Sequence, residues 1–297
     1  MSEQPELPRG IALAWGVAAN PQRGPKREMS VEKIVDAAIE LADAEGLAAV
    51  SMSAVASRLG FTPMSLYRYV TAKDELTLLM QEVALGSPPD DVNAAGTWRE
   101  RLAAYHHAMQ AAYLEHPWVL DLPLSGLTVT PNSAAWLDAG LAALAGTPLD
   151  DDARLSTALL VSGHARTAAS ILAEQRRGSD FGDAAAGVLG SLVTADAYPE
   201  LRRAIDDGMF ASDSDPFAFG LERILDGVAA WMAVAEAEGA PAMVPPPAEN
   251  DDDVQDDKKY REARKAVREA EKRLRAARTH QRQTLREARE RAAKHRP

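Results

Sequence analysis

The sequence predicts an all-α protein, with an N-terminal three-helix helix-turn-helix unit joined to a larger helical body. Three observations carry that reading. Aromatics are only 5% of the residues while alanine is abundant, no alternating apolar and polar pattern is sustained, and apolar residues recur at helical spacing between Pro/Gly breaks. A chain of 297 residues holds one to two domains. The absence of cysteine excludes disulfide frameworks, thiolate metal sites and cysteine nucleophiles. No stretch approaches the ~20 apolar residues of a membrane span, and the first residues lack a signal-peptide pattern, so a soluble cytoplasmic protein is expected.

Residues 1–28 read as a flexible basic arm. Pro5, Pro8, Gly10, Gly16 and Pro21 preclude a long helix, while Ile11, Leu13 and Trp15 can tack part of the arm onto the body. Arg23, Lys26 and Arg27 suit either a segment that enters a DNA groove or a solvated linker. Ser30 then caps a helix whose apolar positions Val31, Ile34, Val35, Ala38, Leu41 and Ala42 follow helical spacing, and Gly46 ends it. This helix braces the pair that follows.

That pair occupies residues 51–73, S-M-S-A-V-A-S-R-L-G-F-T-P-M-S-L-Y-R-Y-V-T-A-K. Ser51 caps a helix over residues 52–59, and Gly60-Phe61 breaks it. Thr62 can cap a second helix with Pro63 at its first position, running to about residue 69. Val55, Ala56, Leu59, Leu66 and Val70 pack inward, leaving Met64, Ser65, Tyr67, Arg68 and Tyr69 outward. A further helix from Lys73 runs to Gly86 and completes a unit over residues 29–86.

Residues 97–241 form the body. A helix over residues 98–115 places Leu102, Tyr105, Met109 and Tyr113 on one face, and shorter pieces follow at about residues 117–124 and 133–145. Asp150, Asp151 and Asp152 oppose the dipole at the start of a long helix that ends near Arg176. Ser162, Gly163, Ala165, Ala168, Ala169 and Ser170 make this helix narrow, as suits a central element. After a less regular segment at 183–208, the last helix of the body covers residues 216–238 with a stripe from Phe217 to Ala235.

Residues 242–297 form an acidic linker and a basic tail. Residues 258–297 hold 16 Lys/Arg and 5 Asp/Glu, a balance of +11, whereas the whole chain carries −11, so the preceding residues carry −22. An acidic body repels DNA except at a local basic footprint. Pairs such as Glu269/Arg273 and Glu287/Arg291 favour an exposed helix in the tail, which reads either as a solvated segment or as a non-specific nucleic-acid tether.

The motifs I-V-D-A-A-I-E-L-A-D-A-E-G-L (34–47), S-M-S-A-V-A-S-R-L-G-F (51–61) and M-S-L-Y-R-Y-V-T-A-K-D-E-L (64–76) come in an order and spacing that resemble the DNA-binding domain of TetR-family transcriptional regulators. The body resembles the tetracycline-repressor branch in its helical layout only. The resemblance implies a homodimer on a palindromic operator, with recognition helices in successive major grooves roughly 34–36 Å apart. It places Thr62, Pro63, Met64, Ser65, Tyr67, Arg68 and Tyr69 at the DNA, with Lys73 near phosphate; Tyr67 reads rather as a contact than as core, and Tyr69 reads equally as either. Ser51 and Ser53 stand at the first helix, where many relatives carry an arginine in place of Ser53. That difference shifts base reading towards Arg68, whose fork matches a guanine edge.

A small-molecule effector would enter between the helices of the body. His106, His107, His116, Asn132, Trp136, His164 and Arg166 are the polar or aromatic candidates for touching it, each also readable as a satisfied structural residue. No metal-ligand spacing, catalytic order, phosphate loop or dinucleotide fingerprint is present, so no metal, no cofactor and no enzymatic activity are expected. The expected function is a ligand-released repressor. The alternative is a helical small-molecule-binding protein or enzyme with a vestigial DNA-binding head.

Overall fold

The computed structural model describes residues 7–17, 29–94, 96–123, 129–177, 190, 192–209, 215–238 and 257–294, and none of these lies in a strand. The chain divides into two compact units, Met1–Pro241 and Ala242–Pro297. In the first, a short helix α1 (Arg9–Ala14) precedes α2 (Val31–Glu45), α3 (Met52–Leu59), α4 (Pro63–Leu66) and α5 (Lys73–Leu85). The body follows with α6 (Trp98–Glu115), a 3-10 turn at Pro117–Asp121, α7 (Pro131–Ala143), α8 (Asp151–Arg176), α9 (Pro199–Asp206) and α10 (Pro216–Glu238). The second unit holds α11 (Lys258–Lys294), on which Val267 and Leu274 are exposed.

Local chemistry explains several boundaries. The Ser30 hydroxyl accepts from Lys33 N at 3.3 Å and the Ser51 hydroxyl from Ala54 N at 3.1 Å, starting α2 and α3. Gly60 ends α3 in the left-handed conformation at φ 76°, which a side chain adopts only at a cost. At the start of α6, Thr97 and Glu100 satisfy each other's backbone N–H groups in a capping box. Asp150 caps α8 through Ala153 N at 2.8 Å.

Ile34, Val35, Ala38, Val55, Ala56, Leu66, Val70, Leu76 and Met80 form the core of the head. Burying one of the Ile, Val, Leu or Met side chains contributes about 1.5–3 kcal/mol. Trp118 and Val119 of the 3-10 segment and Leu122 just after it join this same core, so body and head share apolar packing. A second core gathers Leu102, Tyr105, Met109, Trp136, Ala139, Val161, Ala165, Leu221 and Leu225. The central position expected for α8 is observed, with Ala165, Ala168 and Ala169 at 0% exposure.

Two expectations are corrected, both in the helix pair. The second helix of the pair does not run to residue 69. It ends at Leu66, and Tyr69 N and Val70 N both donate to Leu66 O, at 2.8 and 3.0 Å, closing a turn that drives Val70 into the core. Thr62 does not cap that helix; its hydroxyl pairs with Ser65 Oγ at 2.9 Å instead. Within the arm, α1 packs on α5. Arg9 Nη1 donates to Glu75 Oε1 at 2.7 Å, Leu13 and Ala14 lie against the head core, and Trp15 Nε1 donates to Val129 O at 2.9 Å. Arg23, Lys26 and Arg27 lie outside the described residues.

Candidate functional site

The face of the head opposite its core is built by α4 and the turn after it. Met64 is 75% exposed and Tyr67 is 44% exposed. Arg68 and Lys73 are exposed as well, and neither side chain makes an ion pair among the described residues. Thr62, Pro63, Ser51 and Ser53 share that exposure, and Ser65 is half-buried beside Thr62. Tyr69 takes the second of its two readings. It packs against the head core, and its carbonyl accepts from Arg9 Nη2 at 3.0 Å. The nearby Arg58, by contrast, is engaged with Glu40 at 2.9 Å.

The body holds a cavity of about 1100 Å³ that is partly open to solvent. Its wall is aromatic and aliphatic, from Tyr105, Met109 and Tyr113 on α6, Trp136 and Leu137 on α7, and Leu159 and Ile171 on α8. Such an apolar lining with a few directed polar groups suits a drug-sized molecule. The polar groups are Gln81, Ser133, Ser162, His164, Arg166, Thr167 and Ser170. Burial pushes the Tyr105 hydroxyl up to about 12, so it faces the cavity as a neutral phenol.

Of the sequence candidates, Trp136, His164 and Arg166 line this cavity, and the others do not. His106 is buried behind the wall, its Nε2 2.9 Å from His164 Nδ1. Burial, and then the neighbouring His164 and His107, push it down to about 4, and burial also lowers His164. A neutral imidazole pair fits, with one ring donating to the other. His107 is exposed and meets only the edge of the His106 ring at 5.3 Å. Asn132 serves the joint between α5 and α7, donating from N to Glu82 Oε1 at 2.7 Å.

His116 belongs to a different structure, the joint between head and body. Its Nδ1 lies 2.8 Å from Asp43 Oδ1, and the same oxygen accepts Trp118 Nε1 at 2.8 Å. Arg166 completes the joint from the cavity side. Its Nη2 donates to Leu120 O at 3.0 Å and Leu122 O at 2.8 Å, while its guanidinium stands 5.6 Å from the centre of the Tyr113 ring.

Comparison with known proteins now bears on both sites. A family model described as "Bacterial regulatory proteins, tetR family" matches residues 34–80, and one described as "Tetracyclin repressor-like, C-terminal domain" matches residues 89–232. The chain is 34% identical over 246 residues to the HTH-type transcriptional repressor DrrR1 of Streptomyces coeruleorubidus, covering 80% of this chain and 90% of that protein. The chain belongs to the TetR family. Its structure is similar to apo ActR from Streptomyces coelicolor, with a TM-score of 0.60 at 26% identity over 71% of this chain and 100% of that one. ActR in complex with (S)-DNPA aligns with a TM-score of 0.56 at 26% identity, over 69% of this chain and 99% of that one.

This TetR-family chain is therefore a DNA-binding transcriptional regulator, built from a helix-turn-helix head and a larger helical body. Among the described residues, no helix is long and apolar enough to cross a membrane, and no group of three or more His, Asp or Glu could hold a metal. Sequence reasoning missed most of the cavity wall. Tyr105, Met109 and Tyr113 were legible as one apolar face of α6 but not as a surface left uncovered. The joint was illegible, because 73 residues separate Asp43 from His116.

Proposed function

We propose that this TetR-family regulator is a cytoplasmic, homodimeric repressor that binds a palindromic operator in double-stranded DNA and is released by a small-molecule effector. The observation that carries the reading is the position of the cavity. Arg166 lines it and also holds the backbone of the turn whose Trp118 is buried in the head core. An occupant that moves the cavity wall thereby acts on the head, as a ligand with different affinity for two arrangements must. The complexes of ActR with (S)-DNPA and with actinorhodin support an effector in this body.

Operator contact is assigned to Thr62, Pro63, Met64, Ser65, Tyr67 and Arg68, with Lys73 at a phosphate, Ser51 and Ser53 at the edge, and Arg23, Lys26 and Arg27 as a basic arm. Tyr69 supports the turn from within. Arg68 reads a base edge, a contact of about 1–3 kcal/mol. Dimerisation is assigned to α8 and α10, which expose Leu159, Leu160, Phe219, Trp231 and Val234 in the single chain. The reading excludes catalysis.

Fluorescence anisotropy on DNA from the gene's own upstream region tests it, alongside sedimentation of the free protein. A specific complex of two chains per site, lost in Arg68→Ala, is expected. Binding that ignores sequence and is unchanged in Arg68→Ala would refute it.

A further inference from the structure

The chemistry of the cavity wall goes beyond the presence of a pocket. Among the described lining residues, Arg166 is the sole permanent charge, with no Asp, Glu or Lys beside it. His164 is held towards its neutral form by burial. The carboxylate on the neighbouring turn, Asp121, is paired with Arg177 at 4.0 Å. Among the described residues, Arg166 thus places a positive charge in an apolar chamber with only two backbone carbonyls and the Tyr113 ring to balance it. Carbonyl dipoles satisfy donors but do not neutralise charge, and a half-buried cation without a counter-ion favours an anion strongly.

We propose that the effector is a flat, largely apolar molecule bearing an anionic oxygen, a carboxylate or an ionised hydroxyl, and that Arg166 is the residue recognising it. This rests on the effector reading above and names the class of molecule that reading leaves open. The aromatic residues Tyr105, Tyr113 and Trp136 supply the walls for the flat portion. Arg166 Nη2 is committed to Leu120 O and Leu122 O, and its remaining N–H groups are left for the anion. The guanidinium is planar and rigid, so an anion that draws one edge of it pulls the other edge off these carbonyls. The turn that loses its hold carries Trp118, whose indole N–H is bonded to Asp43 of α2. Anion binding is in this way converted into loosening between cavity and head.

The test uses the full chain with anthracene-2-carboxylate and anthracene-2-carboxamide, probes of equal size that differ in charge. Titration followed by tryptophan quenching should show the acid binding about 10-fold tighter than the amide, the effect of one charge-assisted pair. In Arg166→Gln the acid should fall to the affinity of the amide, while amide binding unchanged from wild type shows that the cavity is intact. Arg166→Lys should keep part of the preference. Hydrogen exchange at the backbone N–H of Val119 and Leu122, which bond within the turn, should quicken with the acid and not with the amide. Equal affinity of the two probes for the wild type, no binding of either, or an acid preference that survives in Arg166→Gln would overturn the proposal. Operator binding is measured separately in the same samples. An acid preference without specific DNA binding would remove the repressor reading and leave the ligand class standing; the reverse would remove the ligand class alone.

Discussion

Replacing Glu75 by alanine should destabilise the head by about 2 kcal/mol. The Glu75 side chain is only 7% exposed and accepts from Arg9 Nη1, from Thr71 N at 2.7 Å and from the Thr71 hydroxyl. It does so because Ala72 occupies the N-cap of α5 and offers no side-chain acceptor, so Glu75 reaches back over the first turn. Alanine removes the acceptor of the Thr71 N–H and hydroxyl; Thr71 itself is exposed, so water replaces part of the bond and the loss is ~1 kcal/mol. The ion pair adds less than about 1 kcal/mol, since Arg9 is 39% exposed and salt-screened. Urea unfolding at one fixed protein concentration should show a lower midpoint with an unchanged slope. Glu75→Gln, which keeps an acceptor, should cost about 1 kcal/mol, as should Arg9→Ala. A Glu75→Ala midpoint indistinguishable from wild type, or an Arg9→Ala loss as large as that of Glu75→Ala, would refute the reasoning.

Gly220→Ala should lower stability by about 1–2 kcal/mol in thermal melts, because its Cβ would stand 2.7 Å from His164 Nε2 and His106 holds that ring in place. The matched control is Gly227→Ala on the same helix, where a Cβ meets nothing within 4 Å and helix propensity should add up to ~1 kcal/mol; the opposite ranking defeats the packing argument. His106 sits near 4 in the folded chain against an ordinary 6.5, so between those values the unfolded chain takes up a proton that the folded chain refuses. Stability should therefore fall as pH drops below about 6.5, with the loss complete near pH 4. Partial screening by solvent reduces the full ~3 kcal/mol to about 2. His106→Gln should flatten that part of the pH profile of the melting temperature, and a slope unchanged in the variant counts against the assignment. Asp43→Ala removes the acceptor shared by Trp118 and His116 and should cost about 1–3 kcal/mol, with faster exchange in residues 117–121; exchange as slow as in wild type would show that the apolar contacts suffice.

Ser30, Ser51 and Gly60 were readable because capping and turn chemistry act within four residues of the sequence. The bounds of α2, α3, α6 and α10 followed from them and from apolar spacing. The end of α4 was not readable, because helix propensity permits Tyr67 to Tyr69 to continue it and only the pull of Val70 into the core decides otherwise. The same limit hid the anchoring of α1. Arg9 and Glu75 are 66 residues apart, and their encounter is a consequence of the fold. In the body, histidine identity pointed at ligand contact, yet His106, His107 and His116 are placed by packing and by partners elsewhere in the chain. Arg166 was legible as an oddity on an apolar helix, but its double duty needed the positions of Leu120 and Leu122.

The small residues of α8 have an evolutionary consequence. On its inner face Ala165, Ala168 and Ala169 admit neighbouring helices so closely that any enlargement there must disturb the body. On its cavity face Ser162, Gly163, Thr167 and Ser170 stand beside empty space, and a Cβ built on Gly163 meets nothing within 4 Å. Substitutions on the second face change what the chamber admits without a matching change elsewhere in the chain. A duplicated copy of this gene can thus acquire a new inducer one residue at a time while the head and its operator stay as they were.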